Sequence, residues 1–137
     1  MNHTPAAARS ILPKIIFADD NKTLLATIKS LLEMTGYEVH SSLNAKNIME
    51  LIHAKTPDVI VLDIQMNGVN GCELCKELKK ENVTRNIPVV MVSANHDLEY
   101  KAGLCGADGF LSKPFGMEEL ISIIDNLMAE RPLLSLS

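Results

Sequence analysis

The stretch that decides the fold is VIVLD at residues 59–63. It is an unbroken run of β-branched and aliphatic residues, which is typical of a parallel strand that is buried on both faces. Its last residue, Asp63, is a carboxylate at the C-terminal end of the predicted strand. Open α/β sheets bind and transform their ligands at that edge, so Asp63 is the first candidate for a functional residue.

Three other short apolar runs end in the same way. They are Lys14–Ala18 before Asp19 and Asp20, Val89–Val92 before Ser93, and Gly109–Ser112 before Lys113. If all four runs are parallel strands of one sheet, three carboxylates, a hydroxyl and an ammonium group meet at one edge. Such a cluster costs stability unless a divalent cation and a phosphate-like anion balance it. The pattern therefore indicates a site for chemistry.

Helix-like segments alternate with these runs. Apolar residues at helical spacing predict helices over about residues 24–32, 48–52, 72–81, 96–104 and 117–128, and a short polar strand over 37–41. Gly36 stands where the first helix would end, and Thr56-Pro57 stops the second. Strict alternation of strands and helices predicts an α/β fold, with a five-stranded parallel sheet and five helices on its two faces.

Length and composition indicate one globular domain. The 137 residues are 47% apolar and 22% charged, and the net charge of -4 with scattered basic residues gives no reason to expect direct nucleic-acid binding. No apolar run approaches the roughly 20 residues of a membrane span, and no signal-peptide core is present, which indicates a cytoplasmic chain. We expect residues 1–13 to be a flexible extension, 14–129 the domain and 130–137 a tail.

Two of the three cysteines form a Cys-x-x-Cys, at Cys72 and Cys75. This spacing occurs in redox pairs and as half of a zinc site. A redox pair would be expected directly after a strand, and a zinc site needs a second pair of ligands, which the sequence does not contain. The four histidines are dispersed without ligand spacing. We therefore predict that these cysteines are buried, inert thiols.

The chain resembles the receiver domain of two-component response regulators, of the single-domain type, over roughly residues 14–129. The landmarks occur in order: Asp19-Asp20, Asp63, Ser93-Ala94, Phe110 and Lys113-Pro114. The resemblance implies a flavodoxin-like, doubly wound sheet with the strand order 2-1-3-4-5. It also implies a phosphoacceptor signalling domain, which is not an enzyme beyond self-catalysed phosphoryl acceptance and autodephosphorylation.

The residue types suit that chemistry. Phosphoryl transfer needs a nucleophile, positive charge around the phosphoryl oxygens and in-line positioning. Asp63 is the candidate nucleophile and would form an acyl phosphate. Lys113 provides a positive charge for one phosphoryl oxygen, and the Ser93 hydroxyl can donate a hydrogen bond to another.

A magnesium ion fits the acidic residues of the same site. Asp20, Asp63 and the backbone carbonyl of Gln65 would offer the hard oxygen ligands that Mg²⁺ prefers. By resemblance, Asp19 is expected to bind the ion directly or through water. We predict Mg²⁺ as the cofactor.

The resemblance also implies how a signal leaves the site. Ser93 would be drawn toward the phosphoryl group and Phe110 would rotate inward, changing a face formed by the segment 96–104, the last strand and the last helix. The expected partners are a histidine kinase or histidine phosphotransfer protein and a downstream protein target. We expect a monomer or a weak, phosphorylation-dependent dimer, without direct nucleic-acid or membrane contact.

Several alternatives remain open. Each acidic or hydroxyl residue could instead cap a helix or form a turn, although this does not explain why all of them follow predicted strands. The chain could be a receiver fragment of a longer hybrid kinase or transcription regulator. An aspartyl-phosphate phosphatase would need a second Asp where Gln65 stands. A flavin binder would need a hydroxyl-rich phosphate loop, and an unphosphorylated scaffold would not need the acidic set.

Overall fold

The structure is a computed structural model that describes residues 12–43, 47–66, 69–94, 103 and 105–130. Five strands and four helices form the body of the described part. They are β1 (Lys14–Ala18), α1 (Lys22–Met34), β2 (Glu38–Ser42), α2 (Ile48–Lys55), β3 (Val59–Asp63), α3 (Gly71–Lys80), β4 (Val89–Ser93), β5 (Gly109–Ser112) and α4 (Met117–Glu130).

The strands form one parallel sheet in the order β2-β1-β3-β4-β5, which confirms the predicted topology. The order reverses direction between β1 and β3, and ligand sites of open α/β sheets form at such a switch point. The register brings the strand ends level there, because Asp63 pairs with Val92 and Ser93 pairs with Ser112.

Helices cover both faces of the sheet, and side chains alternate along each strand to fill two cores. Ile60 and Leu62 of β3 belong to the core beneath α2 and α3. Val59 and Val61 belong to the core beneath α1 and α4. Because both faces of β3 are buried, its residues need not alternate between apolar and polar. This explains the continuous apolar run in the sequence.

Both predicted helix ends are confirmed. Gly36 adopts a φ of 100° after α1 and donates to the Glu33 carbonyl, while Tyr37 N–H donates to the Leu32 carbonyl. This pair of bonds is a Schellman motif, in which glycine accepts the left-handed conformation without a Cβ clash. At the end of α2, Thr56 takes a φ of 46° directly before Pro57.

Some predicted elements differ from the observed ones. The loop after β3 contains a short antiparallel ladder, Gln65–Met66 with Val69–Asn70, which the sequence analysis did not predict. Of the helix predicted over 96–104, only residue 103 lies within the described residues. The expected extensions, 1–13 and 130–137, also lie outside them except for residues 12, 13 and 130. Among the helices that are described, none is both long and apolar enough to span a bilayer.

The prediction of inert thiols is wrong for Cys72. Its sulfur is bonded to that of Cys105, with the two Cα atoms 5.2 Å apart. The Cys-x-x-Cys spacing relates Cys72 to Cys75, whereas the fold brings Cys72 next to Cys105, which lies 33 positions further along the chain. Cys75 agrees with the prediction, since it is a buried free thiol.

Candidate functional site

The backbone positions the candidate residues through hydrogen bonds that continue past the strand ends. Asp19 N–H donates to the Ser42 carbonyl at 3.2 Å, which holds the end of β1 against β2. Lys113 N–H donates to the Ser93 carbonyl at 2.9 Å, which holds the end of β5 against β4. The side chains of Asp19 and Lys113 therefore start from fixed points on one edge of the sheet.

Lys113 links two of the carboxylates directly. Its ammonium group donates to Asp19 Oδ2 at 2.8 Å and to Asp63 Oδ2 at 3.1 Å. Asp19 is fully buried and Asp63 is 7% exposed, so solvent screens these interactions only weakly. The structure thus brings together residues from β1, β3 and β5 that lie up to 94 positions apart in sequence.

The three carboxylates form a group of the size that one cation needs. Asp19, Asp20 and Asp63 each offer an oxygen, and these oxygens all lie within 4.8 Å of one another. Three carboxylates beside the single ammonium group of Lys113 leave an excess of two negative charges. Hard oxygen ligands with this charge suit a divalent cation such as Mg²⁺.

An open cavity of about 360 Å³ lies beside this group. Asp63, Gln65, Ser93 and Lys113 line it, together with Ala94. The candidate nucleophile, hydroxyl and ammonium therefore face a common space. Phe110 does not line it; this side chain is 40% exposed and borders a separate cavity beside α4.

The environment shifts the ionisation of two groups. Burial raises the pKa of Asp63, against the opposing effects of the Gln65 N–H and of Lys113. Burial alone would lower the pKa of Lys113, but its hydrogen bonds to Asp19 and Asp63 outweigh this and the pKa is raised. Lys113 is accordingly a permanent positive charge in the site, while ionised Asp63 is opposed by desolvation.

Gly71 is a site-shaping residue that the sequence analysis did not identify. Its N–H donates to the Ile64 carbonyl at 2.7 Å, and a Cβ atom built on it would lie 2.4 Å from the Asp63 carbonyl oxygen. Only glycine fits this close approach. The available signal was the position of Gly71, directly after a loop containing a second glycine and directly before a helix.

Hydrogen bonds connect the described residues on the two sides of the loop between Asp63 and Gly71. Gln65 N–H donates to Asp63 Oδ1 at 3.0 Å, and Gln65 pairs with Asn70 in the short ladder. Asn70 also caps α3 by accepting hydrogen bonds from Cys72 N–H and Glu73 N–H. The backbone beside the carboxylate of Asp63 is therefore tied to the first turn of α3.

Comparison with solved structures gives the same fold. The chain is similar to the receiver domain of Francisella response regulator 1452, with 34% identity and a TM-score of 0.80, over 88% of this chain and 99% of that one. A response regulator receiver domain protein from Clostridium thermocellum shows 30% identity and a TM-score of 0.81, over 90% and 99%. The receiver domain of a signal transduction histidine kinase from Syntrophus aciditrophicus shows 29% identity and a TM-score of 0.79, over 88% and 94%.

The family model of the response regulator receiver domain matches residues 15–125, which includes every residue of the acidic group and Lys113. The match begins at the second residue of β1, includes the other four strands of the parallel sheet and ends within α4. The chain belongs to the family of response regulator receiver domains of two-component systems.

Proposed function

We propose that this receiver domain accepts a phosphoryl group on Asp63 from a histidine kinase or a histidine phosphotransfer protein, in a magnesium-dependent reaction in the cytoplasm. The observation that carries the proposal is the position of Asp63, whose carboxylate shares the Lys113 ammonium with Asp19 and borders the open cavity. We also propose that residues 14–129 form the domain.

In the proposed reaction an Asp63 oxygen attacks the phosphorus of the donor. A new P–O bond forms while the P–N bond of a phosphohistidine breaks, and the imidazole nitrogen leaves with the bonding electron pair. Asp63 must be ionised to act, and Gln65 N–H and Lys113 stabilise that ionised form through hydrogen bonds of 3.0 and 3.1 Å. Because the Ser93 side chain lines the same cavity, its hydroxyl can donate to the transferred group.

Asp19, Asp20 and Asp63 would hold the magnesium ion, and the carbonyl of Gln65 is a further candidate ligand. When bound, the ion neutralises the charge of the phosphoryl oxygens and of the carboxylates. Lys113, which follows β5 at the same edge of the sheet, supplies the remaining positive charge. The ion held by the acidic group and the Lys113 ammonium would together balance the negative charge of the site.

For the output, we propose that phosphorylation changes contacts with a downstream protein through Ser93 and Phe110. Two features support this. Lys113 N–H donates to the Ser93 carbonyl, so a movement of Ser93 acts directly on β5, which carries Phe110. A cavity of about 590 Å³ is bordered by Phe110 of β5 and by Ile123 and Leu127 of α4, and it leaves space in which that face can repack.

Two other functions are less well supported. A phosphatase that works through an aspartyl phosphate needs an acid two residues after its nucleophile, and Gln65 has no titratable group. A receiver within a longer hybrid kinase or transcription regulator would carry out the same chemistry at Asp63. The similarity to the receiver domain of a histidine kinase is consistent with that arrangement.

The test is incubation with a small acyl phosphate and Mg²⁺, followed by intact mass measurement. We expect a gain of one phosphoryl group, and no gain in Asp63→Asn or with a chelator present. Asp125→Asn is the matched control, because Asp125 is an exposed carboxylate on α4 whose partner is Tyr37. Labelling that persists in Asp63→Asn would refute the proposal.

A further inference from the structure

The disulfide between Cys72 and Cys105 plays no part in the chemistry above, yet it joins two segments that flank that chemistry. Cys72 is the second residue of α3, and Cys105 lies four residues before β5 begins. Disulfides in reducing compartments are usually transient and serve catalysis or redox sensing. The Cys72–Cys105 bond is therefore a candidate for a redox-sensing role in addition to its effect on stability.

The Cys72 end is attached to the phosphoacceptor loop. Cys72 follows Gly71, which contacts the Asp63 backbone and donates to the Ile64 carbonyl at 2.7 Å. Cys72 N–H also donates to Asn70 Oδ1 at 2.8 Å. A constraint on Cys72 consequently acts on the backbone of the nucleophile through one tightly packed residue.

The Cys105 end is attached to the strand that carries Lys113. Cys105 is 2% exposed and lies three residues before Asp108. Asp108 N–H donates to the Val89 carbonyl, and its carboxylate accepts from Val89 N–H and from the Lys79 ammonium, each within 2.8 Å. These hydrogen bonds hold the segment that follows Cys105 against the N-terminal ends of β4 and β5.

Together the two ends close a covalent ring over residues 72–105. The ring contains α3 from Cys72 onward and all of β4, including Ser93, which borders the cavity of the site. With the bond closed, the first turn of α3 and Cys105 cannot move apart. With the bond open, this covalent link between the two ends of the ring is absent.

We propose that Cys72 and Cys105 form a thiol–disulfide modification site at which a low-molecular-weight disulfide, such as glutathione disulfide, slows phosphoryl acceptance by Asp63. The proposal rests on the proposed phosphoacceptor function and adds a second input to it. The oxidised chain resists the change that accommodates the phosphoryl group, and the reduced chain permits it.

The exchange has two balanced steps. The Cys72 thiol, which is only half-buried, loses its proton to solvent and attacks one sulfur of the small disulfide, which releases one small thiolate. The Cys105 thiolate then attacks the Cys72 sulfur of the mixed disulfide and displaces the second small thiolate. Two electrons pass from the protein to the small disulfide, and the protons end on the two released thiols or in solvent.

The third cysteine does not compete for this exchange. Cys75 is fully buried, and burial raises the pKa of its thiol to about 11. It remains protonated and inaccessible to small disulfides, because the thiolate is the reactive form. Cys75→Ala is therefore a matched control that removes one thiol and leaves the pair.

The experiment compares the full chain after dithiothreitol with the same chain after glutathione disulfide. Alkylation under denaturing conditions should modify three cysteines in the reduced sample and one, Cys75, in the oxidised sample. With a small acyl phosphate and Mg²⁺, we expect the oxidised chain to be phosphorylated about 3- to 10-fold more slowly. Cys72→Ser and Cys105→Ser should remove this difference, and Cys75→Ala should keep it.

Equal or faster phosphorylation of the oxidised chain would overturn the proposal, as would a difference that survives in Cys72→Ser. Amide hydrogen exchange over residues 105–112 gives a readout without phosphorylation, and we expect it to be about tenfold slower in the oxidised chain. If neither form is phosphorylated, the phosphoacceptor function fails on its own. In that case, equal rates of amide hydrogen exchange in the oxidised and reduced chains would separately reject the proposed effect of the disulfide.

Discussion

At the scale of single residues, Asp63 experiences opposing influences. Burial and the neighbouring Asp19 carboxylate favour its neutral form, while Lys113 and the Gln65 N–H favour the ionised form. The net effect is a raised pKa, so the ionised form of Asp63 is destabilised in the folded protein. A reactive group held under such opposition is common in functional sites and uncommon in surface caps or turns.

This cost predicts a pH-dependent effect of Asp63→Asn in protein without Mg²⁺. In the folded protein the pKa of Asp63 is raised above its usual value of 3.8. Protonated Asp63 therefore adds to the free energy of unfolding below pH 3.8, and this contribution is lost as the pH rises through the raised pKa. At pH 7 we expect Asp63→Asn to melt higher than the wild type by about 3 °C, and the gap to close on acidification. Scanning calorimetry across the pH range, with Asp125→Asn as control, measures it. A variant that melts lower than the wild type at pH 7 would contradict this account.

At the scale of elements, helix caps connect local sequence to the site. Asn21 Oδ1 accepts from Leu24 N–H at 3.0 Å and caps α1, while Asn21 N–H donates to Asp19 Oδ1 at 2.9 Å. The residue that caps α1 thus also orients a buried carboxylate. Asn47 occupies the same position before α2 but makes no side-chain capping bond within the described part of the chain.

The two asparagines form a matched pair for measurement. Asn21→Ala should lower the free energy of unfolding by about 1 kcal/mol, because one N–H at the start of α1 loses its acceptor. Asn47→Ala should change it by much less. Urea denaturation of both variants tests this, and equal losses would show that the Asn21 cap contributes nothing specific.

The approach of α3 to β3 depends on Gly71. Gly71→Ala would place a Cβ atom 2.4 Å from the Asp63 carbonyl oxygen, so the strand end or the helix must shift. We expect a loss of about 1–3 kcal/mol in stability and slower phosphorylation, since the backbone of Asp63, the proposed phosphoacceptor, moves. Gly103→Ala is the control, because no atom of the described residues lies within 4 Å of its Cβ position. Phosphorylation of Gly71→Ala at the wild-type rate would argue against this role.

These elements also show what the sequence could reveal. The apolar run 59–63 and the cap at Gly36 are local signals, and the structure confirms both. The short ladder at Gln65–Met66 has only two residues in each strand, too few for a periodic pattern. The partner of Cys72 depends on how α3 lies against the segment before β5. The Cys-x-x-Cys spacing carries no information about that contact.

At the scale of the whole molecule, the site joins elements that are distant in the chain. Asp19 and Asp20 follow β1, Asp63 ends β3 and Lys113 follows β5. The carboxylates repel one another across this edge, and the single ammonium group leaves that repulsion incompletely balanced. The strand order β2-β1-β3-β4-β5 places the acids next to one another. Their repulsion therefore destabilises the sheet between β1 and β3, where its two halves meet.

Under the proposed function, magnesium should stabilise the entire fold, because it would bind the folded site and not the unfolded chain. Above the dissociation constant, each tenfold rise in Mg²⁺ should add about 1.4 kcal/mol to the free energy of unfolding. Urea denaturation at several Mg²⁺ concentrations measures this slope. The slope should vanish in Asp63→Asn and persist in Asp125→Asn, which separates site binding from general salt effects. An equal slope in both variants would mean that the ion does not bind the acidic group formed by β1 and β3.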